Sequence, residues 1–167
     1  MRVIVGATFR RSGASGLHDL ARALRSGSPS ALEDVGVILR AGLRRAAPDI
    51  AAAASVVVVP MAGHRAGSLS GAAGLLAEQV LVEHPQWTVA HALERVSDVA
   101  PATAADGPRD ALLEAGTLRW RDVPGEDLIL LVDDVVHTGA SVEAARLAAS
   151  SALRARLAVL VAFRAED

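Results

Sequence analysis

Short apolar runs alternate with amphipathic stretches along this chain of 167 residues. The runs from Val3 to Val5, Val56 to Val59, Leu128 to Val132 and Leu157 to Phe163 predict strands, and such runs are typical of parallel strands covered on both faces. Apolar residues at helical spacing predict helices between them, at Leu17, Leu20, Ala21 and Leu24, at Leu32, Val35, Leu39 and Leu43, at Leu69, Ala72, Ala73, Leu76 and Val80, and from Ser141 to Arg154. The alternation predicts an α/β fold with a mainly parallel central sheet of about five strands flanked by helices.

Three further segments have weaker patterns. Trp87 to Val96 alternates between large and small residues and predicts a strand, as does Thr117 to Arg121. Ser97 to Ala115 shows little periodicity, and a long irregular segment in a compact domain is usually functional or mobile. Because neither an internal repeat nor a linker is visible, we expect one domain over residues 1–167, with residues 97–115 forming a flexible loop.

Composition excludes several kinds of chemistry. All 17 basic residues are arginine, so a P-loop lysine, a Schiff-base lysine and a lysine general base are absent. The chain has no cysteine, which excludes disulfides, a thiol nucleophile and a cysteine zinc site. Its five histidines show no paired metal-binding spacing.

Charge and hydropathy limit the partners. The net charge of -2 gives no broad basic field, so a nucleic-acid partner is not favoured. No apolar run reaches the roughly 18 residues of a membrane-spanning helix, and we expect a cytoplasmic protein without a membrane partner. The oligomeric state stays open, a homo-oligomer included.

The most informative segment follows the apolar run Leu128 to Val132. That strand is predicted to end in two adjacent carboxylates, Asp133 and Asp134, which can accept hydrogen bonds from vicinal sugar hydroxyls. After two valines, the residues from His137 to Ser141 form a short polar loop before a helix. Successive backbone N–H groups at a helix N-terminus bind anions, and Gly139 lets the backbone approach a phosphate closely. This arrangement suits a ribose 5-phosphate.

The run VDDVVHTGAS, from Val132 to Ser141, resembles the phosphoribosyl-pyrophosphate motif of type I phosphoribosyltransferases, and it is most similar to the ComF-like branch. Val56 to Pro60 and then Met61 to Arg65 resemble the strand and pyrophosphate loop of that branch. Arg95 to Pro101, and then Arg109, fall where the branch has a mobile hood. The resemblance covers roughly residues 55–163 and implies a Rossmann-like fold.

The resemblance also implies roles for particular residues. Asp133 and Asp134 would hold the ribose hydroxyls. The 5-phosphate would lie against His137, Thr138, Gly139, Ala140 and Ser141, and pyrophosphate against Met61, Ala62, Gly63, His64 and Arg65. Mg²⁺ would bridge the substrate oxygens, with no protein side chain as a firm ligand and with Asp133 and Asp134 reached through water. The implied reaction is displacement of pyrophosphate from phosphoribosyl pyrophosphate by a small nucleophile such as a nucleobase.

Several departures from the branch keep alternatives open. His137 stands where the branch usually has threonine or another small residue, and the cysteine-rich zinc segment that the branch often carries is missing. The Met61 to Gly67 loop is less basic than usual. Without lysine in the hood, Arg95 or Arg109 must supply its charge. The alternatives are a non-catalytic phosphoribosyl-binding or nucleotide-binding protein, and a ComF-like DNA-uptake (competence) protein. A structural subunit is a third, which an exposed apolar patch on the helix from Leu32 to Leu43 would support.

Several prominent residues also have ordinary structural interpretations. Surface positions are the usual place for Arg65, Arg95 and Arg109. His64 is typical of a turn, and His91 of a packed or half-buried position. Trp87 and Trp120 are more typical of core positions than of base stacking. The glycines at positions 63, 67, 71 and 74 are spaced for close packing at a helix start.

Overall fold

The computed structural model describes residues 1–10, 16–68, 71–99, 110–123 and 127–166. Within that part of the chain the strands are β1 (Arg2–Arg10), β2 (Val56–Pro60), β3 (Thr88–Val89), β4 (Leu93–Arg95), β5 (Leu118–Trp120), β6 (Leu128–Val136) and β7 (Leu157–Glu166). The helices are α1 (Gly16–Arg25), α2 (Pro29–Ala46), α3 (Pro48–Ala51), α4 (Gly71–Leu81), α5 (Ala111–Ala115), α6 (Ala140–Ala148) and α7 (Ser151–Arg156).

The described strands form a five-stranded central sheet in the order β1-β7-β6-β2-β3. Every neighbouring pair in it runs parallel, which confirms the predicted α/β fold. Parallel neighbours bring the carboxyl ends of β6, β2 and β7 to one edge of the sheet. Ligands of open α/β sheets bind beyond this edge.

Alternating side chains of the strands build two apolar cores, one on each face of the sheet. Leu130, Val132 and Leu160 belong to the core beneath α1, α2 and α4. Ile129 and Leu131 belong to the opposite core, which α6 and the residues around β4 and β5 cover. Burial on both faces explains why these strands are apolar throughout rather than alternating with polar residues.

β4 and β5 form a separate antiparallel pair that the sequence did not predict as a second sheet. The single strand expected from Trp87 to Val96 was wrong. β3 pairs with β2 only as far as Val89, and the chain then leaves the central sheet. Within this connection His91 is exposed, so the expected packed histidine was also wrong.

Both tryptophans serve the core as predicted. Trp87 is buried and its indole N–H donates to the carbonyl of Ala53 at 2.9 Å. Trp120 donates in the same way to Ala145 at 2.8 Å. These bonds use the one polar atom of each ring, which leaves neither indole N–H free to recognise a base.

One other expectation about packing was wrong, the close packing of the glycines at a helix start. A Cβ added at Gly67, Gly71 or Gly74 would meet no described atom within 4 Å, so close packing does not explain these glycines. Gly67 instead has a φ of 69°, which favours glycine in its turn. An exposed apolar patch on the helix from Leu32 to Leu43 would have supported a structural subunit, but Val35 and Leu39 on the apolar face of α2 are fully inaccessible.

The predicted flexible loop over residues 97–115 falls partly outside the described residues, because only 97–99 and 110–115 belong to them. Asp110 caps α5, since its carboxylate accepts from the backbone N–H groups of Leu112 and Leu113. Among the described residues, none of the helices combines the length and the hydropathy required to cross a bilayer.

Candidate functional site

The carboxylates Asp133 and Asp134 lie inside β6, not after it. We expected the strand to end at Val132, but its ladder with β7 continues, pairing Asp133 with Val161 and Val136 with Arg164. Val132 and Val135 both pack against the α1 and α2 face of the sheet, so the strand's alternation is broken between them. The two carboxylates therefore lie at an irregular point near the carboxyl end of the strand.

Asp134 is held by Arg25, the last residue of α1. The Nε of Arg25 donates to Oδ2 of Asp134 at 2.7 Å, and the carboxylate is only 13% exposed. Its other oxygen accepts from the N–H of Val135 at 2.7 Å, while Asp133 Oδ1 accepts from the N–H of Asp134 at 2.9 Å. Two adjacent carboxylates are thus fixed by the backbone and by one arginine.

The two carboxylates differ in their electrostatics. Burial raises the pKa of Asp133 well above its ordinary value, and repulsion from Asp134 adds to this. Arg25 acts in the opposite direction and lowers the pKa of Asp133. Burial opposes the charge of Arg25, yet its hydrogen bond and attraction to Asp134 leave its own pKa raised. The site therefore binds a proton at Asp133 more readily than an isolated aspartate would.

The loop after β6 leads directly into α6. Gly139 is the N-cap residue with a φ of 80°, a left-handed conformation that favours glycine. The hydroxyl of Thr138 accepts from the N–H of Ala140 at 3.3 Å, which stabilises the turn. The partial positive charge at the N-terminus of α6 favours an anion here. His137 and Thr138 are exposed at this point.

A cleft of about 420 Å³ opens beside this loop. It is lined by Val136, His137, Thr138 and Gly139 at the end of β6 and in the loop after it, and by Arg164, Ala165 and Glu166 at the end of β7. Arg164 was not predicted as a site residue, although it follows the last apolar run and so must reach the same sheet edge as the loop. Its guanidinium forms no ion pair with any residue that the structure describes.

The segment from Met61 to Arg65 follows β2 at the same edge. Met61, Ala62 and Gly63 are buried, whereas His64 and Arg65 are exposed. Several backbone N–H groups here have partners in the protein: Met61 donates to Val132 at 2.8 Å and Gly63 to Ser68 at 3.1 Å. The Arg65 N–H donates to the Ser68 hydroxyl at 3.2 Å, and the side chain of Arg65 is the exposed cation of this segment.

Arg95 does not supply an exposed charge, and the expectations for it were wrong. Its side chain is only 2% exposed and pairs with Glu114 at 3.1 Å. Its other two nitrogens donate to the carbonyl of Gly63 at 2.8 Å and to the hydroxyl of Thr117 at 2.6 Å. Each guanidinium nitrogen thus has a partner in the protein, which makes the burial of this charge tolerable. Arg109 lies outside the described residues.

No group of three His, Cys, Asp or Glu side chains in the described ranges is arranged to hold a metal ion. Asp133 and Asp134 provide hard oxygen atoms on a half-buried site, which fits Mg²⁺ approached through water and ligand oxygens. Neither the protein-family models nor the curated proteins compared with this chain include a match. We therefore infer the chemistry of the site from its own residues.

Proposed function

We propose that the chain is a Mg²⁺-dependent phosphoribosyltransferase, which binds phosphoribosyl pyrophosphate and transfers the phosphoribosyl group to a small nucleophile such as a nucleobase. One observation carries the proposal. Asp133 and Asp134 lie near the carboxyl end of β6, and the loop after that strand leads directly into α6, at the carboxyl edge of a parallel sheet. One strand and the loop after it thus carry both acceptors for vicinal hydroxyls and the N-terminus of a helix.

The ribose would bind at the two carboxylates. Each ribose hydroxyl can donate to a carboxylate oxygen, and the contact from Arg25 fixes the orientation of Asp134. The transition state of the transfer carries positive charge at C1. Carboxylates held nearby favour that charge, since they need no reorganisation as it develops.

The 5-phosphate would bind at the residues from His137 to Ser141. Gly139 permits close approach of the backbone, and α6 contributes its dipole. Arg164, which lines the same cleft from the end of β7, adds a cation to which a phosphate oxygen can bind. This charge supports an anionic ligand in the cleft, and the neighbouring charge of Glu166 opposes it.

Pyrophosphate would lie towards the residues from Met61 to Arg65, with Arg65 as their exposed cation. Mg²⁺, when bound, would neutralise the pyrophosphate oxygens and so improve the leaving group. In the transfer, the bond from C1 to the pyrophosphate oxygen breaks and its electron pair leaves with pyrophosphate. A bond forms between C1 and the nucleophile's nitrogen, whose proton passes to solvent.

A second candidate function is phosphoribosyl or nucleotide binding without turnover. The burial of Arg95 favours it, because this arginine cannot meet a departing pyrophosphate while it is paired with Glu114. The backbone N–H groups of Met61, Gly63 and Arg65 favour it too, because each already donates to an acceptor within the protein. Under this alternative the carboxylates and the α6 N-terminus keep their binding roles.

Pyrophosphate release separates the two candidates. The native protein is incubated with Mg²⁺, phosphoribosyl pyrophosphate and each common nucleobase in turn. We expect release with at least one base, and loss of that release in Asp133→Asn/Asp134→Asn. The adjacent exposed acids Glu33 and Asp34 on α2 provide a matched control, Glu33→Gln/Asp34→Asn, which should keep the activity. Ligand binding without release by any base would support the non-catalytic alternative.

A further inference from the structure

A buried ion pair connects the loop after β2 with the first turn of α6. Arg95 on β4 and Glu114 on α5 are 2% and 5% exposed, and Nη2 of the arginine lies 3.1 Å from Oε1 of the carboxylate. A buried pair of this kind persists only if further hydrogen bonds satisfy both groups. One of these bonds, from Arg95 Nε to the carbonyl of Gly63 at 2.8 Å, ties the pair to the loop after β2.

The same carboxylate also contacts the first turn of α6. The hydroxyl of Ser141 lies 3.0 Å from Oε1 of Glu114. Because that oxygen already accepts from Arg95, it acts as an acceptor here as well, and Ser141 is the donor. A serine hydroxyl has a single proton. While Ser141 donates it to Glu114, the hydroxyl cannot donate to a phosphate at the N-terminus of α6.

We propose that Glu114 is a positioning residue that competes with the ligand's phosphate for the hydroxyl proton of Ser141. This inference rests on the proposed function, because it requires a phosphate beside α6. Without ligand, the Ser141–Glu114 bond holds α5 against α6, two helices that pack on each other. When phosphate binds, the Ser141 hydroxyl donates to a phosphate oxygen instead of to Glu114. α5 and β5 then lose this restraint, and their amide hydrogens exchange faster. Occupancy of the phosphate site is thereby coupled to α5, which carries Glu114, and through Glu114 to Arg95 on β4.

Hydrogen exchange on the full chain without ligand tests whether the Ser141–Glu114 bond holds α5 against α6. Ser141→Ala removes the donor, and Ser141→Thr is the matched control that keeps a hydroxyl. We expect roughly tenfold faster amide exchange over residues 111–120 in Ser141→Ala, the effect of losing one hydrogen bond to a charged group. Ser141→Thr should exchange as the native chain does. Unchanged exchange in Ser141→Ala would overturn the inference.

Ribose 5-phosphate is the probe that tests whether a bound phosphate breaks the Ser141–Glu114 bond. At saturation, confirmed by calorimetry, it should raise exchange over residues 111–120 of the native chain to the level of Ser141→Ala. It should produce no further rise in Ser141→Ala itself, whereas a merely structural bond would not respond to ligand. Binding that leaves exchange unchanged would overturn the coupling and leave the proposed function standing. Absence of binding by the folded chain would overturn both.

Discussion

Arg25 Nε donates a 2.7 Å hydrogen bond to Asp134 Oδ2, joining two residues that lie 109 positions apart in the sequence. The contact brings the C-terminal end of α1 to the carboxylate pair on β6. It also places a cation where it lowers the cost of two neighbouring negative charges. Residues 1–54, which carry no recognised motif, therefore contribute directly to the candidate site.

Removal of this arginine should change the ionisation of the pair. In Arg25→Gln, we expect the pKa of Asp133 to rise further, because the cation that lowers it is gone. Carboxyl ¹³C shifts measured against pH by NMR check this in the free protein. Arg22→Gln is the matched control, since Arg22 is exposed one turn earlier on α1 and faces Asp19. Equal titration curves for both variants would contradict the assigned role of Arg25.

Asp133→Asn should stabilise the protein at neutral pH. The folded chain binds the Asp133 proton more tightly than the unfolded chain does, because the folded pKa is raised. Stability contributed by this group is thus present at acidic pH and is lost as the pH rises through the raised pKa. The gain from Asn should be largest at neutral pH and should shrink on acidification.

Urea denaturation of the native chain and of Asp133→Asn, from acidic to neutral pH, measures the difference in the free energy of unfolding. The exposed Asp122→Asn is the control. A free energy of unfolding for Asp133→Asn that is equal to or below the native value at neutral pH would be the contrary result.

Arg164 should contribute to ligand affinity. We expect Arg164→Gln to weaken binding of ribose 5-phosphate by roughly 10- to 100-fold, the usual value of one charge-assisted hydrogen bond. Glu166→Gln should have the opposite effect, because it removes a negative charge from the same cleft. Arg154→Gln on α7, at the other edge of the sheet, is the control, and calorimetry measures all three. Equal affinities in the Arg164 and Arg154 variants would remove Arg164 from the site.

Two helical glycines should respond oppositely to alanine. A Cβ at Gly42 would lie 2.8 Å from the Cα of Gly6, a backbone atom that cannot move away cheaply. We expect Gly42→Ala to destabilise the fold by about 1–3 kcal/mol. Gly74→Ala should instead stabilise it by up to about 1 kcal/mol, since its Cβ meets no described atom within 4 Å and alanine favours helix. Thermal unfolding compares them, and a stabilising Gly42→Ala would contradict the packing of α2 on β1.

The central sheet could be predicted because its strands are buried on both faces. Runs such as Val56 to Val59 are apolar throughout, and a short run of β-branched residues is typical of a covered parallel strand. The end of β6 could not be predicted in the same way. Asp133 and Asp134 are poor strand formers, but pairing of Asp133, Val135 and Val136 with β7 carries the strand past them. Tertiary pairing outweighed local preference at this position.

The candidate site was predicted only where its residues are contiguous. The segment from Asp133 to Ser141 forms one connection, so its strand–loop–helix pattern is visible in the sequence. Arg25 and Glu114 reach the site or its neighbours through the fold and follow no local pattern, whereas Arg164 could have been found because it directly follows the last apolar run. Arg95 was misjudged because its burial depends on three partners from other elements.

Calorimetric titration with phosphoribosyl pyrophosphate and Mg²⁺ tests the central claim most directly. The native chain, Asp133→Asn/Asp134→Asn and the control Glu33→Gln/Asp34→Asn are titrated under the same conditions, after circular dichroism has shown that each is folded. The account predicts saturable binding by the native and control chains, and its loss when Asp133 and Asp134 are replaced. No binding by the folded native chain, or equal binding by all three, would contradict it.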